Sequence, residues 1–410
     1  MIKDIFNNIG PGPLVAAAFI GPGTVTLCTI AGINFGFALL WAMGLSIIAT
    51  VVLQEMAARL GIITQKGLSE IIRTEIYNPV LKSLTVILII SAIVIGNAAY
   101  EAGNISGGVL GLETLVGKHN LELFGFSINT LCILTGLIAF SLLYVGNYKT
   151  IERALMALVL LMSLAFLITA ILTKPNIANI LKGVFIPVFP EDSLLIIIGL
   201  IGTTVVPYNL FLHASLVKEK WKYKRDLSLA RKDAYISVVL GGLVSMCIII
   251  SAASIQSMNI SNASDLAKGL KPLFGSFAQY FLAVGLFAAG ITSAITAPLA
   301  AAYVSCGCLG FKSDLKSKKF KAIWMFILVL GVLLSSLNFK PIDIIKFAQV
   351  ANGILLPIIV IVLIWIMNKS SVLGTYKNNI KQNILGILIL CITILLSISA
   401  LHKVFGLNIF

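Results

Sequence analysis

Apolar residues in this chain come in runs of about twenty, each closed off by a short group of charged or turn-forming residues. Runs of that length cross a ~30 Å hydrocarbon slab when coiled as a helix. They fall near Leu14 to Ile33, Ala38 to Leu60, Ser83 to Leu110, Leu123 to Leu143 and Ala154 to Leu172. A second series follows at Leu194 to Val217, Ala234 to Ile255, Phe274 to Tyr303, Ile323 to Leu337, Ile342 to Met367 and Ile384 to Leu401. The pattern predicts eleven membrane-crossing helices in one domain covering 1–410. The longest connections, Thr173 to Ser193 and Lys218 to Asp233, are too short to bury a core of their own.

Two of the runs carry helix breakers at mid-length. The first reads AAAFIGPGTVTLCTIAGINFG, with Gly21, Pro22 and Gly23 in the middle of an otherwise good helix, and the chain is predicted to leave the helix there. The sixth reads GLIGTTVVPYNLFLHASLV, and Pro207 and Asn209 are predicted to interrupt it at a comparable depth. Irregular backbone at membrane depth persists only where protein or a water-filled cavity surrounds it. A pair of interrupted spans at matching places in two halves points to a solute site at the midplane, and Thr24, Thr26, Thr203, Thr204, Tyr208 and Asn209 supply polar groups there. The plainer alternative is two proline kinks in ordinary packed helices.

Composition agrees with lipid as the solvent: 59% of residues are hydrophobic and 11% charged, against roughly 25% charged in soluble chains. The formal charge of +14 would suggest nucleic acid in a soluble protein, but the basic residues here sit in short loops between apolar runs. With the N-terminus placed in the cytoplasm, 22 of the thirty Lys and Arg residues fall on the cytoplasmic side and 8 outside, which predicts an external C-terminus. The opening MIKDIFNNIGPGP leads into an apolar run without a small-residue cleavage pattern, so no cleaved signal is expected. Six cysteines lie mainly in apolar segments without C-x-x-C spacing and read as core residues. H-E-x-x-H, G-x-S-x-G and G-x-x-x-x-G-K-[ST] are all missing from the sequence, which argues against an enzyme and against an ATP-driven pump.

The stretches GPGT at Gly21 to Thr24, GINFGFALLW at Gly32 to Trp41, LQEMAARLGIIT at Leu53 to Thr64 and VPYNLFLHA at Val206 to Ala214 resemble, in register, motifs of the Nramp family of proton-coupled divalent-metal transporters. Glu101, AAGITSAIT at Ala288 to Thr296 and AQV at Ala348 to Val350 add weaker matches. The resemblance implies an all-α integral membrane protein of the LeuT type, with inverted repeats over about 12–173 and 193–367 and an extra helix over 380–402. It implies a secondary transporter working by alternating access. The departures fall on the chemistry: the family's coordinating aspartate corresponds to Gly21, its asparagine to Thr24, its methionine to Val206, its adjacent histidine to Tyr208 and a third-helix aspartate to Ala98.

The candidate substrate-binding residues are Gly21, Gly23, Thr24, Thr203, Val206, Tyr208, Asn209, Gln349 and Asn352, with Glu101 and His213 as candidate proton or ion relays. Without the family's aspartate or methionine, a dry, tightly coordinated transition metal is hard to build. One reading is a divalent ion, hydrated Mg²⁺ or Mn²⁺, carried with weak or no proton coupling. The other is a small organic solute such as an amino acid, its carboxylate held at the first helix break. No cofactor is expected beyond a divalent cation as substrate. Lipid and the solute are the expected partners, without nucleic acid or an obligate protein partner, and the expected location is a prokaryotic plasma membrane. Glu55 lies four residues before Arg59, spacing that suits a structural helical ion pair, and Cys28 reads as packing.

Overall fold

In the computed structural model, residues 20–123, 126–146, 149–255, 260, 262–337 and 339–405 are described. The first half of the molecule contains α1 (Pro22–Phe35), α2 (Leu40–Thr64), α3 (Leu68–Glu75), α4 (Pro79–Val116), α5 (Thr130–Val145), α6 (Lys149–Leu172) and α7 (Ile177–Phe185). The second contains α8 (Leu194–Thr204), α9 (Pro207–Lys220), α10 (Leu227–Ala252), α11 (Ala278–Leu309), α12 (Lys318–Ser336), α13 (Pro341–Met367) and α14 (Ile380–Phe405). Among the described residues nine helical stretches are long and apolar enough to cross a membrane. The shorter α5 is a tenth apolar helix among them, and of the expected first span residues 14–19 lie outside the described set.

Three departures from the sequence expectations have local causes. The third span is longer than Ser83 to Leu110, because Pro79 at the first helical position and the Asn78 side chain, accepting from the Val80 and Leu81 amides, start α4 a turn early. The connection from Thr173 to Ser193 contains α7, started by the Asn176 side chain, which accepts from the Ala178 and Asn179 amides. Between α4 and α5 the chain forms an antiparallel hairpin, β1 (Asn120–Leu123) against β2 (Phe126–Asn129), pairing Asn120 with Asn129.

The long helix α4 is the centre of the packing and touches α11, α13 and α12. Lipid gives apolar side chains no reason to prefer a helix neighbour over a tail, so close helix contact depends on small residues. Gly108 of α4 faces Gly290 of α11, and Gly111 lies against the Ala283 carbonyl. Elsewhere α2 packs on α10 and α9, α8 packs on α13, and α14 lies along α13. Leu84, Ile87, Leu160, Ile171, Leu240, Leu333, Phe347 and Leu395 are exposed around this bundle, as lipid-facing residues should be.

Candidate functional site

Both interruptions have the same construction. Gly21 is the N-cap of α1, in extended backbone (φ −104°, ψ −176°), with Pro22 at the first helical position. Val206 is the N-cap of α9 (φ −74°, ψ 121°), with Pro207 at the first helical position. Proline is favoured there because its missing N–H has no acceptor to lose. The sequence placed the irregular residues at Gly21 to Gly23 and at Pro207 and Asn209. In the structure Gly23, Pro207 and Asn209 all belong to first helical turns; the second break falls at Val205–Val206, and at the first the described irregular residues are Ile20 and Gly21, the residues before them lying outside the described set.

The two breaks are joined directly. Thr24 Oγ1 and Thr203 Oγ1 lie 2.7 Å apart, a buried hydrogen bond across 179 residues of sequence. Gln349 of α13 covers both: its amide rests on Gly23, where a Cβ would overlap it, and its carbonyl lies against the backbone of Gly202. Pro22 in turn is seated on Gly107 of α4. Gly21 faces Ser293 of α11, whose Oγ lies 3.0 Å from where a Cβ would stand. On the α9 side, Tyr208 meets Tyr100 of α4 edge to face, with ring centroids 5.4 Å apart.

Thr24, Thr203, Tyr208, Asn209, Ser293 and Gln349 are each at most 1% exposed, so the site is closed on every side. Within it, Asn209 Oδ1 and Nδ2, Gln349 Oε1, Ser293 Oγ and the Tyr208 hydroxyl have no hydrogen-bond partner among the described residues. Each buried polar atom left in that state costs about 1–3 kcal/mol. Such groups converging on one place mark a site for a polar ligand.

The remaining candidates divide. Val206 is buried and offers no side-chain donor. Asn352, on α13 one turn after Gln349, points its Oδ1 toward Gly96 of α4 and flanks the site. Glu101 packs against Gly331 of α12, in line with Asn97, which donates to the Ala297 carbonyl at 3.1 Å, and Asn104. Both Glu101 carboxylate oxygens are buried with no hydrogen-bond partner among the described residues, and Glu101 directly follows Tyr100, the residue of α4 that meets Tyr208. His213 stands one turn after Asn209 with Nδ1 2.7 Å from Gln54 Oε1 of α2. Gln54, Ser293 and Tyr100 were missed as site residues. The first two sit inside the quoted motifs LQEMAARLGIIT and AAGITSAIT, whereas an aromatic in an apolar run gives no signal.

Cys28 is fully buried in the apolar core, as expected of packing. Among the described residues no three His, Cys, Asp or Glu side chains gather into a metal-holding group. What the site presents is neutral oxygen, from two hydroxyl-bearing threonines, a serine and two amides. Such hard donors suit a strongly hydrated cation and are a poor match for a soft one.

The family described as natural resistance-associated macrophage protein-like matches residues 12–403. A divalent metal cation transporter MntH of Verminephrobacter eiseniae is 26% identical over 414 residues, covering 98% of this chain and 90% of the relative. The crystal structure of the Eremococcus coleocola manganese transporter superimposes with a TM-score of 0.76 at 22% identity, covering 99% of this chain and 89% of that one. MhsT, solved in complex with L-phenylalanine, has a TM-score of 0.59 at 13% identity, covers 95% of this chain and 97% of its own, and shares the fold. The chain is a multi-pass integral membrane protein of the LeuT type, and it belongs to the Nramp family, whose members are transporters and not enzymes.

Proposed function

We propose that this protein is a secondary carrier that moves a divalent metal ion, Mg²⁺ or Mn²⁺, across the membrane by alternating access, the ion keeping much of its water. The observation that carries this is the convergence of unpartnered neutral oxygens, Asn209 Oδ1, Gln349 Oε1 and Ser293 Oγ, on two proline-started half-helices. A bare divalent ion among neutral donors would be an uncompensated buried charge costing several kcal/mol. Retained water spreads that charge, and magnesium in particular dehydrates reluctantly. The relatives named as divalent metal cation transporters support the ion class.

Gly21 and Ala98 stand where the resemblance would place carboxylates, so proton coupling is weak or absent. Gly21, Gly23, Thr24, Thr203, Tyr208, Asn209 and Gln349 line the ion's position, with Val206 as an apolar wall and Asn352 at the flank. The matched breaks support inverted repeats over 12–173 and 193–367, with 380–402 appended. The positive charge bias supports a cytoplasmic N-terminus and an external C-terminus, and the bacterial relatives support a prokaryotic plasma membrane.

Purified protein in liposomes, offered Mg²⁺, Mn²⁺ and a panel of amino acids, tests the reading. Saturable divalent flux that does not require a proton gradient is expected. Uptake of an amino acid with no divalent flux would overturn it.

A further inference from the structure

We infer that Tyr208 and Tyr100 form an aromatic gate that closes the site toward the Lys218–Lys220 end of α9. The inference rests on the transport reading above and concerns how that same site opens. A solute leaving the breaks along α9 has to pass between α9 and the helices facing it, α2, α11 and α4. In that gap the two rings meet with centroids 5.4 Å apart and planes at 72°, Tyr208 fully buried and Tyr100 1% exposed. Tyr208 is the second residue of α9, so its ring travels with the half-helix. Tyr100 sits in the middle of the 38-residue α4, held by α11, α12 and α13. A contact between an element that starts at a break and one held along its length is where a gate belongs.

Two further features favour a gate over ordinary packing. The Tyr208 hydroxyl is buried with no hydrogen-bond partner among the described residues, a cost that phenylalanine would avoid at a purely packed position. A hydroxyl that is wetted whenever the rings part offsets that cost. Beside the gate, Asn209 and His213 lie one helical turn apart on α9 with Asn209 Oδ1, Asn209 Nδ2 and His213 Nε2 all without partners among the described residues, forming a polar lane for a hydrated ion once the rings separate.

The test uses the full-length protein with Cys391, which is exposed, and Cys247, which is partly exposed, replaced by serine, and with Ser293→Cys as the reporter. Ser293 Oγ makes no hydrogen bond among the described residues and faces the first break, so the near-isosteric thiol reports access to the site at little structural cost. Labelling by a small cationic methanethiosulfonate is expected to be slow in the parent and about tenfold faster with Tyr208→Ala or Tyr100→Ala, since an edge-to-face pair biases an equilibrium by about that factor. Tyr208→Phe and Tyr100→Phe, which keep the rings, are expected to restore slow labelling. Parental labelling rates in alanine variants that retain the parent's gel-filtration profile would overturn the gate. Should those variants not fold, Tyr208→Leu and Tyr100→Leu keep apolar bulk without a ring; faster labelling supports the gate and parental labelling overturns it. Labelling needs no divalent ion, so the gate and the choice of substrate fail separately.

Discussion

Buried polar groups gather at two places in this protein, and they are satisfied very differently. Near the Lys218 end of the bundle, Glu55 of α2 accepts from Arg59 at 3.1 Å and from Arg231 of α10 at 2.8 Å. Arg59 also donates to the Tyr376 carbonyl at 2.9 Å, to Gln382 at 3.2 Å and to Asn378 at 2.7 Å. This knot ties α2, α10 and the start of α14 together, and within it, among the described residues, only Arg59 Nε is buried without a partner. At the helix breaks the same depth of burial comes with both Asn209 amide atoms, Gln349 Oε1, Ser293 Oγ and the Tyr208 hydroxyl without partners among the described residues. Charge that is paired across helices holds them in place; polarity left without partners waits for a ligand or for movement. The expected pair Glu55–Arg59 is therefore structural, with Arg231 as the member that sequence spacing could not supply.

The contrast can be broken by substitutions, and the largest effect is expected at the knot. Arg59→Ala leaves Glu55 buried with Arg231 as its one remaining ion partner and should cost up to about 3–5 kcal/mol of stability, read as a lowered melting temperature in detergent. An unchanged melt would mean the knot holds nothing. Next comes Gly23→Ala, whose methyl would displace the Gln349 amide from the first break. Overpacking of this kind costs about 1–3 kcal/mol, and divalent flux should be lost while the protein still elutes as a single species.

Smaller effects sharpen the view of the breaks. Gly21→Asp places a carboxylate where the family resemblance expects one, and the Ser293 Oγ at 3.0 Å has to yield only slightly. Apparent affinity for Mn²⁺ should rise about tenfold, because ligand charge sets divalent affinity; an affinity equal to the parent's in a liposome titration would place the ion elsewhere. Thr24→Val removes the 2.7 Å bond to Thr203 that joins the two breaks. A net hydrogen bond is worth about 1 kcal/mol, so apparent affinity should fall about fivefold with little change in melting.

Much of the architecture could be read from the chain before folding. Runs of about twenty apolar residues force helices in lipid because no other single segment satisfies its own backbone there, and Gly21-Pro22 and Pro207 announce the breaks. Boundaries slipped where local capping intervened, as at Asn78 and Asn176, and at the breaks themselves, where proline begins a helix as readily as it ends one. Site chemistry was legible only in part. Thr24, Thr203, Asn209 and Gln349 were found because polar residues in apolar runs are conspicuous. Glu101 was equally conspicuous, and its carboxylate oxygens, like the polar atoms at the breaks, are buried without a partner among the described residues.

The sequence by itself determined that this is a membrane protein with two broken spans and without the aspartate and methionine that the family resemblance would place there, since hydropathy and residue identity are local properties. Only the tertiary structure decided which polar groups meet. Thr24 reaches Thr203 across 179 residues, Gln349 rests on Gly23, His213 finds Gln54, and Tyr100 closes on Tyr208. Each of those contacts depends on helix rotation and on glycines that let backbones approach, and neither leaves a periodic trace in a chain whose apolar residues face lipid and core alike.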